Sequence, residues 1–186
     1  SHFRRLLNVT DAVTHFASAV LNFDEKLGMV FLQLHDNFKP KDYDRLEAFV
    51  KHWPQEVPLA IELRNTEWFT DEAILDKTCQ LFEDYHITNI IVDTAGRRDM
   101  LHMRLTTPNA FIRYVGANAE SDYQRLDDWL ARLSTWKKEG LENLYFFVHQ
   151  NIEKASPLLS AHLIKSMNDA WGTDIHIPVM ATDQPS

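Results

Sequence analysis

Cysteine occurs once in the 186 residues, at Cys79. A single thiol excludes an intramolecular disulfide and a thiolate metal cluster. Cys79 lies in the helical run EAILDKTCQLFEDY among apolar neighbours, where a small core residue is the expected role. Glycine is also scarce, at five, and no Gly-rich loop follows any apolar run. That argues against a Rossmann or P-loop nucleotide site. No apolar stretch approaches the ~20 residues of a membrane span. The opening SHFRRLLNVTD is basic and amphipathic, without the apolar core or small-residue cleavage site of a secretory leader.

Positive charge is the next deficit. Nineteen Lys and Arg face 27 Asp and Glu, a formal net charge of −8. Broad nucleic-acid binding needs a basic face and is not expected here, although a local cationic pocket is compatible with the sum. Neither G-x-S-x-G nor H-E-x-x-H is present, and no Ser-His-Asp arrangement emerges. A reducing, cytoplasmic setting fits these absences.

What is present is a rhythm. Hydrophobic content of 45% and charged content of 25% are ordinary globular values, and the length suits one domain with a sizeable core. Five short apolar runs (GMVFLQL, PLAIELR, TNIIVD, AFIRYVG and NLYFFVHQ) read as buried strands, with polar residues toward their ends at Gln33, Glu62 with Arg64, Asp93, Arg113 and His149. Helical periodicity separates them, at residues 9–27, 41–53, 71–85, 121–139 and 155–171. Gly28 is placed for a left-handed cap of the first helix and Thr70 as N-cap of the third. Residues 95–109 lack helical periodicity. Residues 173–186 are expected to form a tail, with one short strand at 175–180. Strand–helix alternation with short connections means a parallel sheet, either an open doubly wound sheet or part of a barrel.

Parallel α/β proteins collect ligands and catalytic groups at the carboxyl ends of their strands. Side chains alternate along a strand, so Ala60, Glu62 and Arg64 share a face opposite Leu59, Ile61 and Leu63. The same alternation groups Phe31 with Gln33, Ile91 with Asp93, Phe111 with Arg113, and Tyr145 and Phe147 with His149. The inward set then holds two carboxylates, two guanidiniums, an imidazole and an amide. Buried charges must be paired, so these groups form either a structural ion-pair network or a polar pocket for an anionic or polyhydroxylated molecule. Glu62, Asp93 and His149 are also oxygen and nitrogen donors, but they lack a short metal-ligand spacing; no metal is assigned and any cofactor is left open. Trp68 sits in the loop Asn65–Phe69 directly after Arg64, placed to wall a pocket or to cover the rim.

Several ordered segments resemble the YecE-like family, known as domain of unknown function 72. They are SHFRRL at 1–6, KLGMVFLQL at 26–34, AIELRNTEWF at 60–69, Asp93 at its strand end, FIRYVGAN at 111–118, and LYFFVHQN at 144–151 with ASPLLSA at 155–161. The Glu-x-Arg…Trp block is the most specific. The chain departs from the pattern at Val115, where the family usually has His, and at Val148-His149-Gln150, which replaces Phe-Asn-Asn. The resemblance implies an α/β fold, a TIM-like β/α barrel, N-terminally incomplete in this chain because the family's first strands lie upstream of the Ser-His segment. The barrel domain would occupy residues 1–172. Such a partial barrel exposes strand edges, so self-association is expected.

These features define three expectations. The first is an enzyme acting on a small polar or anionic molecule by acid–base chemistry, with Glu62 and Asp93 as catalytic groups. Gln33, Arg64, Trp68, Arg113, Asn118, His149 and Gln150 would then bind substrate. The second is a non-catalytic ligand-binding or scaffold protein. The third is a metal-dependent phosphoesterase.

Overall fold

Five parallel strands pair in the order in which the chain makes them. They are β1 (Val30–Gln33), β2 (Leu59–Glu62), β3 (Thr88–Thr94), β4 (Asn109–Gly116) and β5 (Asn143–Gln150). The computed structural model describes residues 5–179. Among the described residues six α-helices accompany the sheet: α1 (Thr10–Val20), α2 (Tyr43–His52), α3 (Glu67–Thr70), α4 (Glu72–Asp84), α5 (Ser121–Lys138) and α6 (Ser156–Trp171). Sequential parallel neighbours keep their crossovers on one side, so one sheet face is helix-covered and the other is left concave as the twist accumulates. The result is a curled half-barrel rather than a doubly wound sheet.

The helix-facing side holds most of the core. Leu32, Leu34, Leu59, Ile61 and Leu63 pack with Leu46, Phe49 and Val50 of α2 and with Leu81 and Phe82 of α4. Ile91, Ile112 and Tyr114 pack with Leu126, Trp129 and Leu133 of α5 and with Leu159 and Leu163 of α6. Each such side chain contributes about 1.5–3 kcal/mol when fully buried. The concave side carries a smaller cluster of Ala60, Ile90, Val92 and Phe111. Its aromatic residues are left partly open. Phe31 and Phe147 are 53% and 43% exposed, and both rings lie against Phe111, at 5.7 and 5.0 Å between centroids.

The seam between β2 and β3 is short. Only Ala60 and Ile61 register with Thr88 and Asn89. Beyond them the β3–β4 connection contributes Met100 to the concave cluster, and His102 bonds the Ile90 carbonyl through Nε2 at 3.2 Å. A carbonyl only accepts, so Nε2 carries the proton. Nδ1 in turn accepts from the Arg104 amide at 3.1 Å, which fixes the neutral tautomer. The ring stacks on Phe69 at 5.4 Å. Desolvation by burial lowers the His102 pKa from 6.5 to about 4, aided by the nearby Arg104 charge and opposed by the Ile90 bond.

Several local expectations are corrected. The first helix ends as an α-helix at Val20, and the chain continues as a 3-10 segment, Leu21–Lys26, that kinks at Asp24. Gly28 is not a left-handed cap; Leu27 before it is already extended. Asp71, not Thr70, caps α4, its carboxylate accepting from Ala73 and Ile74. Carboxylates cap well because they also favour the positive end of the helix dipole. Residues 173–179 form no strand; Met180 and the tail beyond it fall outside the described residues. Of the SHFRRL segment, Ser1–Arg4 also lie outside them, while Arg5 pairs with Asp42 at 2.7 Å.

Candidate functional site

Glu62 ends β2 on the concave side, 2% exposed. Strand alternation aims it inward, and its partners come from the strands on either side. Gln33 of β1 donates to Oε1 at 2.9 Å. Arg113 of β4 reaches across β3 and donates to Oε2 at 2.5 Å. Arg64 lies 3.7 Å from Oε1 and also pairs with Asp36 at 3.1 Å. Both carboxylate oxygens thus accept a hydrogen bond, one of them from a guanidinium, with a second guanidinium in ion-pair range. The arginines differ from the acid in access: Arg113 keeps 25% and Arg64 43% side-chain exposure. What the concave face offers a visitor is therefore guanidinium, held in place from behind by a buried carboxylate. Phe31 and Phe147 supply apolar surface on the same face.

Asp93 was expected in this set and is not there. It shares the helix-facing side with Ile91, under α5. Oδ2 accepts from Trp129 Nε1 at 2.8 Å, and Oδ1 accepts from Arg125 at 2.6 Å. Arg125 also donates to the Asp93 carbonyl and to Asp122 Oδ1, each at 3.3 Å, and its guanidinium lies 4.4 Å from the centre of the Tyr114 ring. Asp93 is 2% exposed. It fastens strand end to helix.

The other expected residues divide in the same way. Trp68 is fully buried on the helix side, where Nε1 donates to the Phe38 carbonyl at 2.9 Å and the ring stacks on Phe38. It walls no concave pocket. Gln150 also points to the helix side: Oε1 accepts from the Asn118 amide at 3.0 Å and Nε2 donates to the Ala155 carbonyl. Asn118, itself at φ 60°, accepts from the Ile152 amide at 2.7 Å. These two residues tie the β4–α5 and β5–α6 loops together. His149 is on the concave parity, 40% exposed, and pairs with Glu153 at 3.1 Å.

Residues that sequence reasoning missed do much of this positioning. Asp122, at the start of α5, accepts from the amides of Ala117 and Ala119 at 2.9 and 3.0 Å. Its carboxylate comes so close to β4 that a Cβ at Gly116 would lie 2.8 Å from Oδ2, which is why glycine ends that strand. Arg125 and Trp129 stand four apart in α5, the helical spacing that places both on one face, and that spacing was a usable signal. Cys79 is buried, and burial pushes its thiol pKa up, consistent with an inert core residue. Among the described residues, no three His, Cys, Asp or Glu side chains converge on a metal-sized point. Glu62, Asp93 and His149 in particular are not brought together.

The architecture is a singly wound parallel α/β half-barrel with an arginine-bearing concave mouth. The family model described as "Protein of unknown function DUF72" matches residues 1–181, and the chain belongs to that family. It is 25% identical over 171 residues to UPF0759 protein YecE of Escherichia coli K12, covering 80% of this chain and 61% of the relative. The O157:H7 strain's protein of the same name matches equally. The chain thus spans about three-fifths of the length of these curated relatives. Two crystal structures of a DUF72 family protein from Enterococcus faecalis V583 superpose with TM-scores of 0.68 and 0.71, at 18% and 17% identity. These superpositions cover 84% and 90% of this chain, and 68% and 67% of the other.

Proposed function

We propose that this chain forms the larger part of a TIM-like β/α barrel whose concave mouth binds a small polar molecule bearing an anionic group. The carrying observation is the Glu62–Arg113 pair, a buried carboxylate holding a guanidinium that stays a quarter exposed on the open side. Arg113 and Arg64 take the anion, because guanidinium matches carboxylate and phosphate oxygens in forked geometry. Gln33 keeps Glu62 oriented. His149 and the Phe31 and Phe147 rings border the ligand.

Acid–base chemistry follows from this binding mode in one step. An anion that draws the Arg113 N–H groups to itself loosens Glu62, and the freed Oε2 becomes available to move a proton on the ligand. A second, non-catalytic reading rests on a separate observation. With Gln33, Arg64 and Arg113 all directed at it, Glu62 serves equally well as a fixed support for a binding site.

The experiment uses the full-length protein and a panel of small carboxylates, read by thermal shift and calorimetry. Arg113→Gln is expected to abolish binding of any ligand found. Glu62→Gln then separates the readings: retained binding with lost turnover assigns an enzyme, and unchanged turnover removes Glu62 from catalysis. Ligand binding indifferent to Arg113→Gln overturns the site.

A further inference from the structure

The β3–β4 connection, residues 95–108, carries no α-helix and makes only a 3-10 turn at Arg98–Met100. Where a barrel unit would lay a helix beside α5, this segment leaves a cleft of about 240 Å³ on the helix-facing side. Leu101 and Met103 form its apolar wall from the connection. The opposite wall is one stripe of α5, at Arg125, Asp128, Trp129 and Arg132, with the i, i+3, i+4, i+7 spacing of a single helix face. Arg98 closes the mouth from the turn.

The charges in this cleft are unequally used. Arg125 is committed to Asp93 and Asp122, yet its buried Nε has no hydrogen-bond partner. Buried N–H groups are seldom left unpaired. Arg98 and Arg132 have no ion pair or side-chain hydrogen bond among the described residues, although the chain carries an excess of acids to pair with. Against them stand two carboxylates that also line the cleft: Asp128, which accepts from Gln124 at 3.2 Å, and Asp93, whose oxygens are taken by Arg125 and Trp129. Two unpartnered guanidiniums facing one small cleft, with a third held in its wall, is the arrangement of an anion site.

We infer that this cleft, on the opposite side of the sheet from the concave mouth, binds the phosphate group of a small molecule through Arg98 and Arg132. Its volume equals about eight waters at about 30 Å³ each. That is room for a phosphoryl group and a few further atoms, and less than the roughly 300–1,000 Å³ typical of drug-sized ligand pockets. A dianion suits two full positive charges better than a single carboxylate does. Asp128 opposes the ligand's charge and limits affinity.

Binding to the full chain is measured by calorimetry and by 31P NMR, with inorganic phosphate, glycerol phosphate and a short single-stranded oligonucleotide as probes. Saturable binding of phosphate or glycerol phosphate is expected. Arg98→Gln and Arg132→Gln should each weaken it about tenfold, the loss of one charge-assisted contact. Asp128→Asn should tighten it. Glycerol phosphate binding more tightly than inorganic phosphate identifies the phosphoryl end of a larger molecule; equal affinity identifies free phosphate. The inference is overturned by absence of saturable binding, or by binding that follows Arg113 and ignores Arg98 and Arg132. It is also overturned by binding of the oligonucleotide alone with a steep salt dependence, which would mark a nucleic-acid surface instead.

Discussion

Glu62 and Asp93 end neighbouring strands, are equally buried and are each bonded to an arginine, yet they face opposite sides of the sheet. Asp93 spends both oxygens on α5, on an indole and on a guanidinium that is itself only 15% exposed. Its partners belong to one helix, and the group meets solvent only along the β3–β4 cleft. Glu62 takes its partners from β1, from β4 and from just past its own strand, and the two arginines among them open onto the concave face at 25% and 43% exposure. Burial of an acid therefore says little about function; the accessibility of what it holds says more. In a curled parallel sheet the helix-facing side converts strand-end charge into architecture. The concave side keeps it available.

The two sides should respond differently to substitution. The largest effect is expected for Trp68→Ala, about 3–5 kcal/mol of lost stability, because the indole is fully buried in the helix-side core. Denaturant unfolding measures it, and a loss below about 1 kcal/mol would return Trp68 to the rim. Next comes the seam between the two acids. His102 titrates near 6.5 when unfolded and near 4 when folded, so between those values the unfolded chain binds the extra proton. Stability therefore falls as pH drops from about 6.5 to 4, on the order of 2 kcal/mol from this residue. Thermal melts across that range should flatten in His102→Phe, which keeps the stacking on Phe69 but cannot titrate. The smallest effect is expected on the concave face, where Phe31→Ser should change stability by no more than about 0.5 kcal/mol. The same substitution should reduce self-association measured by sedimentation, since it removes a half-exposed aromatic.

The strand–helix alternation was legible because strands of a parallel sheet read as short apolar runs between periodic helices. The inward aim of Glu62 was legible for a narrower reason: Leu59, Ile61 and Leu63 are bulky and the alternating set is Ala, Glu and Arg, so parity alone chose the face. Asp93 was misplaced because that contrast is missing in TNIIVD. Ile90 and Val92 are as apolar as Ile91, so period two grouped Asp93 with Ile91 correctly but could not say which side they take. The deciding information sits about 30 residues on, in the Arg125–Trp129 pair of α5. Trp68 was misread because closeness in sequence to a strand end does not fix the direction of a side chain past the last paired residue; Gln150 is itself paired, with Gly116, and alternation with His149 already put it on the helix side. The missing helix between β3 and β4 was visible as absent periodicity, but the cleft it opens depends on packing.

Equilibrium unfolding of Asp93→Ala beside Glu62→Ala, in the same background and buffer, tests the division most directly. Asp93→Ala leaves the nearly buried Arg125 with only the longer Asp122 contact and Trp129 Nε1 without its acceptor, and should cost about 3–5 kcal/mol. Glu62→Ala releases arginines that reach water and should cost about 1–2 kcal/mol. Equal losses, or a larger loss at Glu62, would contradict the assignment of one acid to the architecture and the other to an open site.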